Sequence, residues 1–170
     1  MALRPGRTTR AKRKPYTRVS RRKPRKSYAV GVPYSKIHIF NMGNDEKEFD
    51  TNLWLVADRS VQIRSNALEA ARVVSNKFLE RNIPGNYFLK ILVYPHQVLR
   101  EHSMATGAGA DRFSSGMRKS FGKPSGLAAV VKKGQNIMHL KLNKKDLAIG
   151  RKALKRADMK LPTPCKIKVK

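Results

Sequence analysis

The sequence contains little cysteine and little negative charge. Its only cysteine, Cys165, excludes an internal disulfide and a zinc site built from several cysteines. Only 11 Asp and Glu residues oppose 38 Lys and Arg residues in a chain of 170, which gives a formal net charge of +27 at pH 7. Because so many like charges repel one another in a compact chain, the composition predicts a polyanionic partner. A phosphate backbone fits that description.

Long hydrophobic runs are also missing. No window approaches the roughly 18 consecutive apolar residues that a membrane-spanning helix needs, and no apolar signal region follows Met1. The pattern therefore predicts a soluble, intracellular protein with no membrane partner. The length fits one ordinary domain with a tail.

Residues 1–34 are predicted to form a basic, extended arm. Residues 1–26 alone carry twelve cations and no acid, prolines interrupt any helix, and apolar residues are too few to fold the segment by themselves. A solvated tail and an organellar transit peptide are alternatives, although the prolines and the lack of an amphipathic stripe disfavour the transit peptide. We favour an arm that orders along nucleic acid, with Tyr16 and Tyr28 available to stack on bases or sugars.

Residues 35–170 have the composition of a single folded domain. Runs of β-branched, aromatic and other apolar residues predict the strands. Ile167 and Val169 should share one face of the last strand, opposite the lysines. The predicted strands are residues 36–40, 52–64 (one long or broken strand), 87–95, 96–102 (extending or pairing with the strand before it), 127–142 (a hairpin turning at 133–136) and 165–170.

Two helices interrupt these strands. Asn66 with Glu69 three residues later resembles a capping box that opens the first helix, which ends at a Pro-Gly pair. The second helix starts at Asn143 and runs to about Ala157, although Gly150 in its interior weakens it by about 1 kcal/mol. The fold class is therefore α+β, with a mixed, mainly antiparallel sheet packed against two helices. The buried stripe predicted for the first helix comprises Ala67, Ala71, Val74 and Phe78.

The acidic residues and histidines do not form an evident reaction centre. An acidic loop on a basic protein is most simply a face turned away from the nucleic acid; a metal site is the alternative, but the spacing matches no calcium-loop pattern. The four histidines show no metal-ligand spacing, and His102 beside Ser103 lacks a third group to orient it. We predict no catalytic residue, no metal and no cofactor. The clustered acids are Asp45, Glu46, Glu48 and Asp50.

Residues 102–124, HSMATGAGADRFSSGMRKSFGKP, form a glycine-rich loop that resembles two phosphate-binding motifs and matches neither. Arg112 stands in the place of the third glycine of G-x-G-x-x-G. Five residues rather than four separate Gly116 from Gly122, and Pro124 replaces the Ser or Thr that holds magnesium in a P-loop. Small residues, cations and aromatics together predict a mobile extension that orders against nucleic acid.

Several segments resemble one family. HQVLRE followed by ATGAGADR, GMR and FGKP is similar to the signature of the archaeal and eukaryotic large-subunit ribosomal protein L-ten-e, the counterpart of bacterial ribosomal protein L-sixteen. The segments KPYTR, GVPYSKI, LEAAR and CKIKV support this resemblance, which covers nearly the whole chain.

The resemblance implies a non-catalytic structural protein of the large ribosomal subunit in the cytoplasm. It implies binding to large-subunit rRNA near the base of the central protuberance, beside neighbouring ribosomal proteins, with no small-molecule substrate. It also implies that the glycine-rich loop points toward the peptidyl-transferase region and tRNA, in support of subunit maturation and tRNA accommodation. The residues predicted to bind rRNA are Lys12, Arg13, Lys14, Tyr16, Arg18, Arg21, Arg22, Lys23, Arg25, Lys26, Lys36, Arg64 and Arg72. The loop residues predicted to lie near tRNA are Thr106, Gly107, Gly109, Asp111, Arg112, Gly116, Arg118, Lys119 and Lys123.

Two other functions are consistent with a basic chain of this kind. One is an RNA-modifying or nucleotide-using enzyme with the glycine-rich loop as its lid, which ATP binding or base modification by the purified protein would favour. The other is a chromatin-like architectural protein, which would sediment with DNA rather than with large ribosomal subunits.

Overall fold

The computed structural model describes residues 31–105 and 107–170 and folds them into two antiparallel sheets and three helices. The arm up to residue 30 lies outside the described residues, so its extended form stays a prediction. The helices are α1 (Ser65–Asn82), α2 (Ala110–Phe113) and α3 (Leu147–Asp158), the last preceded by a 3-10 turn at Lys144–Asp146. The strands are β1 (Asn41–Gly43), β2 (Thr51–Ala57), β3 (Val61–Arg64), β4 (Tyr87–Ile91), β5 (Gln97–Glu101), β6 (Lys123–Val131), β7 (Asn136–Leu142) and β8 (Cys165–Val169).

The larger sheet has five strands in the order β1-β4-β7-β2-β8, and the smaller has three in the order β3-β6-β5. Every neighbouring pair in both sheets is antiparallel. The chain leaves the larger sheet twice: β3 joins the smaller sheet before β4 returns to the larger one, and β5 and β6 join the smaller sheet before β7 returns. The α+β class is therefore confirmed, with two antiparallel sheets where one mixed sheet was predicted.

One face of the larger sheet forms the core with the helices. Leucines alternate along β2, β4 and β7 and are fully buried, and they lie in one hydrophobic cluster with Leu68 and Leu79 of α1 and Leu154 of α3. Burial of each such side chain contributes about 1.5–3 kcal/mol. Because side chains alternate along a strand, the residues between these leucines point away from the helices. The buried sheet leucines are Leu53, Leu55, Leu89, Leu140 and Leu142.

Gly150 allows α3 to lie close against this sheet. A Cβ atom at this position would overlap Cδ2 of Leu142 and lie 3.3 Å from Cδ2 of Leu140. The residue that weakens the helix in isolation, by about 1 kcal/mol relative to alanine, is thus the one that lets the helix backbone approach the leucines. The second predicted helix is confirmed in position, although its first turn is 3-10 and its α-helical part starts at Leu147.

The predicted hairpin across residues 127–142 is wrong. Its two strands, β6 and β7, belong to different sheets, because each finds other partners on its edges. The turn between them packs instead against the end of β2, where the N–H of Gly134 donates to Ala57 O (2.8 Å) and the N–H of Ala57 donates to Gln135 O (3.0 Å). Two apolar runs around a turn specify neither strand's partner, since tertiary contacts decide the pairing.

Two further strand predictions also need correction. Residues 97–101 form β5, which neither extends nor pairs with β4 but pairs with β6 in the smaller sheet. Pro95 lies between β4 and β5, and proline cannot donate to a sheet ladder. Residues 36–40 are not a strand; β1 begins at Asn41, directly after them. The broken form of the 52–64 strand is confirmed, as is the C-terminal strand β8.

The predicted cap and buried stripe of α1 are wrong in detail. The helix begins at Ser65, before Asn66, so Arg64 occupies the N-cap position; its guanidinium has no acceptor atom, and no side chain caps the helix. Glu69 is hydrogen-bonded to Arg72 instead of capping. Of the predicted stripe, Ala71 is confirmed as buried, and Ala67 and Phe78 are partly buried against the core. The fully buried positions are Ser65, Leu68, Ala71, Ser75 and Leu79. Ser75 can be buried because its hydroxyl donates to Ala71 O (2.8 Å), so its polarity is satisfied within the helix. A pattern of apolar residues does not identify this buried position, because the residue there is a serine.

Candidate RNA-binding surface

The glycine-rich loop, residues 102–122 in the structure, is anchored at its base by β5 and β6. The two strands bring Glu101 opposite Lys123 and Arg100 opposite Pro124. Gly122 allows the two chain segments to meet, because a Cβ there would lie 2.7 Å from the carbonyl carbon of Glu101 and 2.9 Å from the nitrogen of His102. The loop therefore projects as an extension of an antiparallel pair.

Within the loop, positive-φ glycines shape the chain. Gly109, at φ 74°, precedes the four-residue helix α2, and Gly116 has φ 58°. No atom lies within 4 Å of the position that a Cβ would occupy at either glycine, so the backbone is open on that side. His102 Nε2 lies 3.0 Å from Gly116 O, a contact that joins the two sides of the loop. These features leave backbone groups accessible to a surface outside the chain.

The side chains of the loop are exposed and mostly cationic or aromatic. Phe113 is 88% exposed, Met117 70% and Phe121 64%. The guanidinium of Arg100 lies over the Phe121 ring, 4.4 Å from its centroid, a cation–π geometry. Thr106 lies outside the described residues. The other predicted loop positions are all exposed: Gly107, Gly109, Asp111, Arg112, Gly116, Arg118, Lys119 and Lys123.

The predicted rRNA contacts in the body lie apart from this loop in the sequence and on different elements. Lys36 is exposed in the extended segment before β1, next to the buried Ile37. Ser35 shapes that segment, since its Oγ accepts from the N–H of Ile37 (3.2 Å). Arg64 ends β3 directly before α1. The predicted arm contacts, Lys12 to Lys26, lie outside the described residues.

Arg72 is already engaged by a carboxylate. Its Nε and Nη2 donate to the two carboxylate oxygens of Glu69 at 2.8 and 2.5 Å, and its side chain is only 13% exposed. The hydrogen bond from Arg72 holds the pKa of Glu69 below its ordinary value of 4.5 and raises the pKa of Arg72. The pair is neutral as a unit, so Arg72 can offer full charge to a phosphate only if Glu69 releases it.

The acidic loop lies between β1 and β2. Asp45, Glu46, Glu48 and Asp50 are all exposed, and Lys47 Nζ donates to Asn86 Oδ1 (3.0 Å) beside the turn that follows α1. Across residues 31–105 and 107–170, no group of three or more His, Cys, Asp or Glu side chains is arranged to hold a metal ion. The orientation of the acidic loop, away from nucleic acid, stays a prediction.

Cys165 is a half-buried structural thiol. Its Sγ donates weakly to Thr163 O (3.4 Å), and its N–H donates to Asp158 Oδ1 (3.0 Å). Burial, together with the nearby Asp158 carboxylate, raises the pKa of the thiol to about 12. A thiol that stays protonated at neutral pH is a poor nucleophile and a poor metal ligand.

The face of the larger sheet that points away from the helices carries a set of residues that sequence reasoning missed. Trp54 of β2 lies opposite His139 of β7, and their rings stack with centroids 4.9 Å apart and planes 3° apart. The alternation of lysines with apolar residues in β7 and β8 was the available signal. That alternation predicts only which residues share a face of one strand, because the sequence does not show which strands lie side by side.

The orientation of His139 is fixed by a neighbour. Its Nε2–H donates to Oδ1 of Asn52 (2.9 Å), and Trp54 covers one side of the ring. Burial first, and then the charges of Lys141 and Lys90, lower the pKa of His139 below its ordinary 6.5. The imidazole is therefore neutral at pH 7, which removes one like charge from a face rich in lysine.

No helix among the described residues is long and apolar enough to cross a membrane.

Comparison with known proteins identifies the family. The model of the family described as ribosomal protein L16p/L10e matches residues 12–168, nearly the whole chain. The chain belongs to the ribosomal protein L16p/L10e family. This confirms the resemblance carried by the glycine-rich loop motif. Because L16p/L10e proteins are structural rather than enzymatic, membership does not support the alternative of an enzyme with the loop as its lid.

Archaeal large ribosomal subunit proteins named uL16 are similar to this chain over most of their length. The chain is 49% identical over 170 residues to large ribosomal subunit protein uL16 of Archaeoglobus fulgidus, covering 99% of this chain and 94% of that one. It is 53% identical over 146 residues to the protein of the same name from Picrophilus torridus, covering 85% and 83%. It is 46% identical over 171 residues to that of Methanococcus maripaludis strain C7, covering 99% and 95%.

Proposed function

We propose that this chain is a structural protein of the large ribosomal subunit that binds large-subunit rRNA in the cytoplasm and catalyses no reaction. The observation that carries the proposal is the family match over residues 12–168, together with archaeal relatives named as large-subunit proteins. A net charge of +27 supports it independently, because rRNA supplies the phosphates that such a chain needs. Neighbouring ribosomal proteins complete its surroundings.

The glycine-rich loop reaches a functional RNA centre, near the peptidyl-transferase region and tRNA. Three features support this role: a base fixed by β5 and β6, an open backbone at Gly109 and Gly116, and exposed aromatics beside Arg112 and Arg118. Aromatic side chains stack on unpaired bases, and arginines bind phosphate. Phe113, at 88% exposed, leaves its ring open to a base of the RNA.

The arm and the body anchor the protein. The arm cations contact phosphates, which position a protein on RNA without reading its sequence. Lys36 and Arg64 add phosphate contacts from the folded domain. Arg72 adds another when its ion pair with Glu69 breaks. Attachment to rRNA is therefore spread over the arm and the body, whereas the glycine-rich loop alone contacts the functional RNA centre.

Deletion of residues 106–111 tests this separation of roles directly. The variant should still co-sediment with large subunits at moderate salt, since the arm and body remain, but subunits that carry it should be defective in peptide synthesis. Substitution of Arg112 and Arg118 by glutamine should give a milder defect, and substitution by lysine, which retains charge, a smaller one still. Sedimentation of the unaltered chain with DNA and away from large subunits would refute the ribosomal role.

A further inference from the structure

The face of the larger sheet that points away from the helices carries two rows of side chains that cross its strands. Its lysines are accessible, whereas Phe88 is buried, at 3% exposed. In the first row, the antiparallel register places Lys90, His139, Trp54 and Lys168 side by side on β4, β7, β2 and β8. In the second row, it places Phe88, Lys141 and Asn52 side by side, and Asn52 exchanges two backbone hydrogen bonds with Lys170. Three strand gaps of about 4.8 Å set Lys90 and Lys168 about 14 Å apart.

The charge on these rows has one sign. Neither row contains Asp or Glu, and Lys90, Lys168 and Lys170 are exposed. Lys141 lies with its Nζ 5.3 Å from the centroid of the Phe88 ring, so its charge is held over the sheet. Lys166, the other lysine of β8, lies outside the rows and pairs with Asp58 at 3.1 Å.

The aromatic rings at the centre of this face are held in place before any ligand binds. The Trp54 and His139 rings are parallel, and the hydrogen bond to Asn52 locks the imidazole. A flat, rigid aromatic pair between lysines loses little conformational freedom when a ligand binds. Surfaces that bind single-stranded nucleic acid combine these two elements, cations that follow the backbone and aromatic rings that meet the bases.

We propose that this face, defined by Lys90, Lys141, Lys168, Trp54 and His139, is a second rRNA-binding surface, separate from the arm and from the glycine-rich loop. The proposal rests on the proposed ribosomal function. Lys168 lies in the CKIKV segment, whereas Lys90, Lys141, Trp54 and His139 lie outside every segment that carries the family resemblance. Lysines about 14 Å apart are too distant to share one phosphate, so the ligand is a stretch of several nucleotides whose backbone crosses the strands.

RNA fits the face better than an acidic protein segment does. An acidic segment would match the lysines, but it would make no use of the aromatic pair between them. The lowered pKa of His139 also favours RNA, because it keeps the imidazole neutral at pH 7. A neutral ring can lie against a base while the surrounding lysines bind phosphates.

The test compares two triple variants of the full chain. Lys90, Lys141 and Lys168 are replaced by glutamine in the first variant, and the exposed Lys77, Lys152 and Lys160 of the helical layer are replaced in the second. Binding to a large-subunit rRNA fragment is measured by anisotropy as salt is raised. Loss of three phosphate contacts should reduce the slope of log affinity against log salt by about 2 to 3 in the sheet variant, while the helical variant keeps the slope of the unaltered chain.

The outcomes separate this proposal from the proposed function. If the unaltered chain binds the fragment and the sheet variant keeps its slope, the sheet surface is refuted and the ribosomal function stands. If the unaltered chain does not bind, both fail. Arginine at the same three positions should restore the slope, because charge rather than lysine itself is required.

Trp54 provides a second readout, because it is the only tryptophan in the chain. Its fluorescence should change when the rRNA fragment binds, and the change should be lost in the sheet glutamine variant. A poly-glutamate probe at matched charge should leave it unaltered. Fluorescence that responds to poly-glutamate but not to RNA would assign the face to an acidic protein partner instead and overturn the proposal.

Discussion

The glycine-rich loop and the five-stranded sheet place their apolar side chains in opposite ways. In the sheet, leucines such as Leu140 are fully buried against α1 and α3, whereas Phe113 of the loop is 88% exposed. The sheet is therefore specified by burial within the chain. The loop is shaped by glycines and by a base that β5 and β6 hold together. The sheet therefore stabilises the fold, and we propose that the loop contacts RNA.

Truncation of a core leucine should give the largest effect. Leu140→Ala should lower the free energy of unfolding by about 2–5 kcal/mol, because it removes buried area and leaves a cavity between sheet and helix. Phe113→Ala, a larger truncation in the loop, should change it by less than about 0.5 kcal/mol. Urea unfolding of both variants measures the contrast. Similar losses for the two would mean that the loop packs as part of the core.

Gly122 should tolerate substitution by alanine less well than Gly126 does. Gly122→Ala forces a Cβ against the backbone of Glu101 and should cost about 1–3 kcal/mol, since that backbone cannot move without opening the loop base. Gly126→Ala, in the same strand, meets no atom within 4 Å and serves as the control. Thermal unfolding distinguishes the two. Equal stability of both variants would show that the loop base is not held closed by β5 and β6.

The Glu69–Arg72 pair should have a smaller influence on stability. Glu69→Gln should lower it by less than about 1 kcal/mol at pH 7, as for other partly exposed pairs. Because the folded-state pKa of Glu69 is lowered, its contribution is present above its ordinary pKa of 4.5 and is lost as the pH falls through the folded value. The stability of the two proteins should therefore converge in acid.

The same variant tests Arg72 as an rRNA contact. With Glu69 neutral, the guanidinium is released, and the salt slope for rRNA binding should steepen by about 1. An unchanged slope would remove Arg72 from the predicted rRNA contacts.

The smallest effect concerns His139. Its folded-state pKa lies below 6.5, so the unfolded chain takes up a proton more readily and stability should fall as the pH drops below that value. Trp54 fluorescence reports the titration, because the indole stacks on the imidazole. Lys141→Gln should raise the His139 pKa by removing a nearby like charge. A midpoint at or above 6.5 in the unaltered protein would contradict the buried, neutral ring.

Sequence reasoning predicted the loop and the fold class better than it predicted the topology. The loop motif is continuous, so residues 102–124 could be identified without any knowledge of contacts. Strand pairing is not continuous: β6 and β7 are neighbours in the chain but lie in different sheets, and β5 joins β6 rather than β4. No local pattern contains that information.

The sheet surface was missed for the same physical reason. Lys90, Trp54, His139 and Lys168 are spread over more than one hundred residues of the chain, and only the register of four strands brings them into one row. Ser75 was missed in the core stripe because its hydroxyl is satisfied by Ala71 O, a contact that polarity alone does not reveal. Local chemistry predicts local elements, while surfaces assembled from distant strands require the fold.

Site-specific crosslinking within assembled large subunits shows whether the glycine-rich loop lies against RNA. A short photoreactive crosslinker is placed at residue 112 or residue 118, and the crosslinked molecules are identified by sequencing and mass spectrometry. We expect crosslinks to large-subunit rRNA or tRNA from both positions. Crosslinks from both positions to ribosomal proteins alone, with none to RNA, would contradict this expectation.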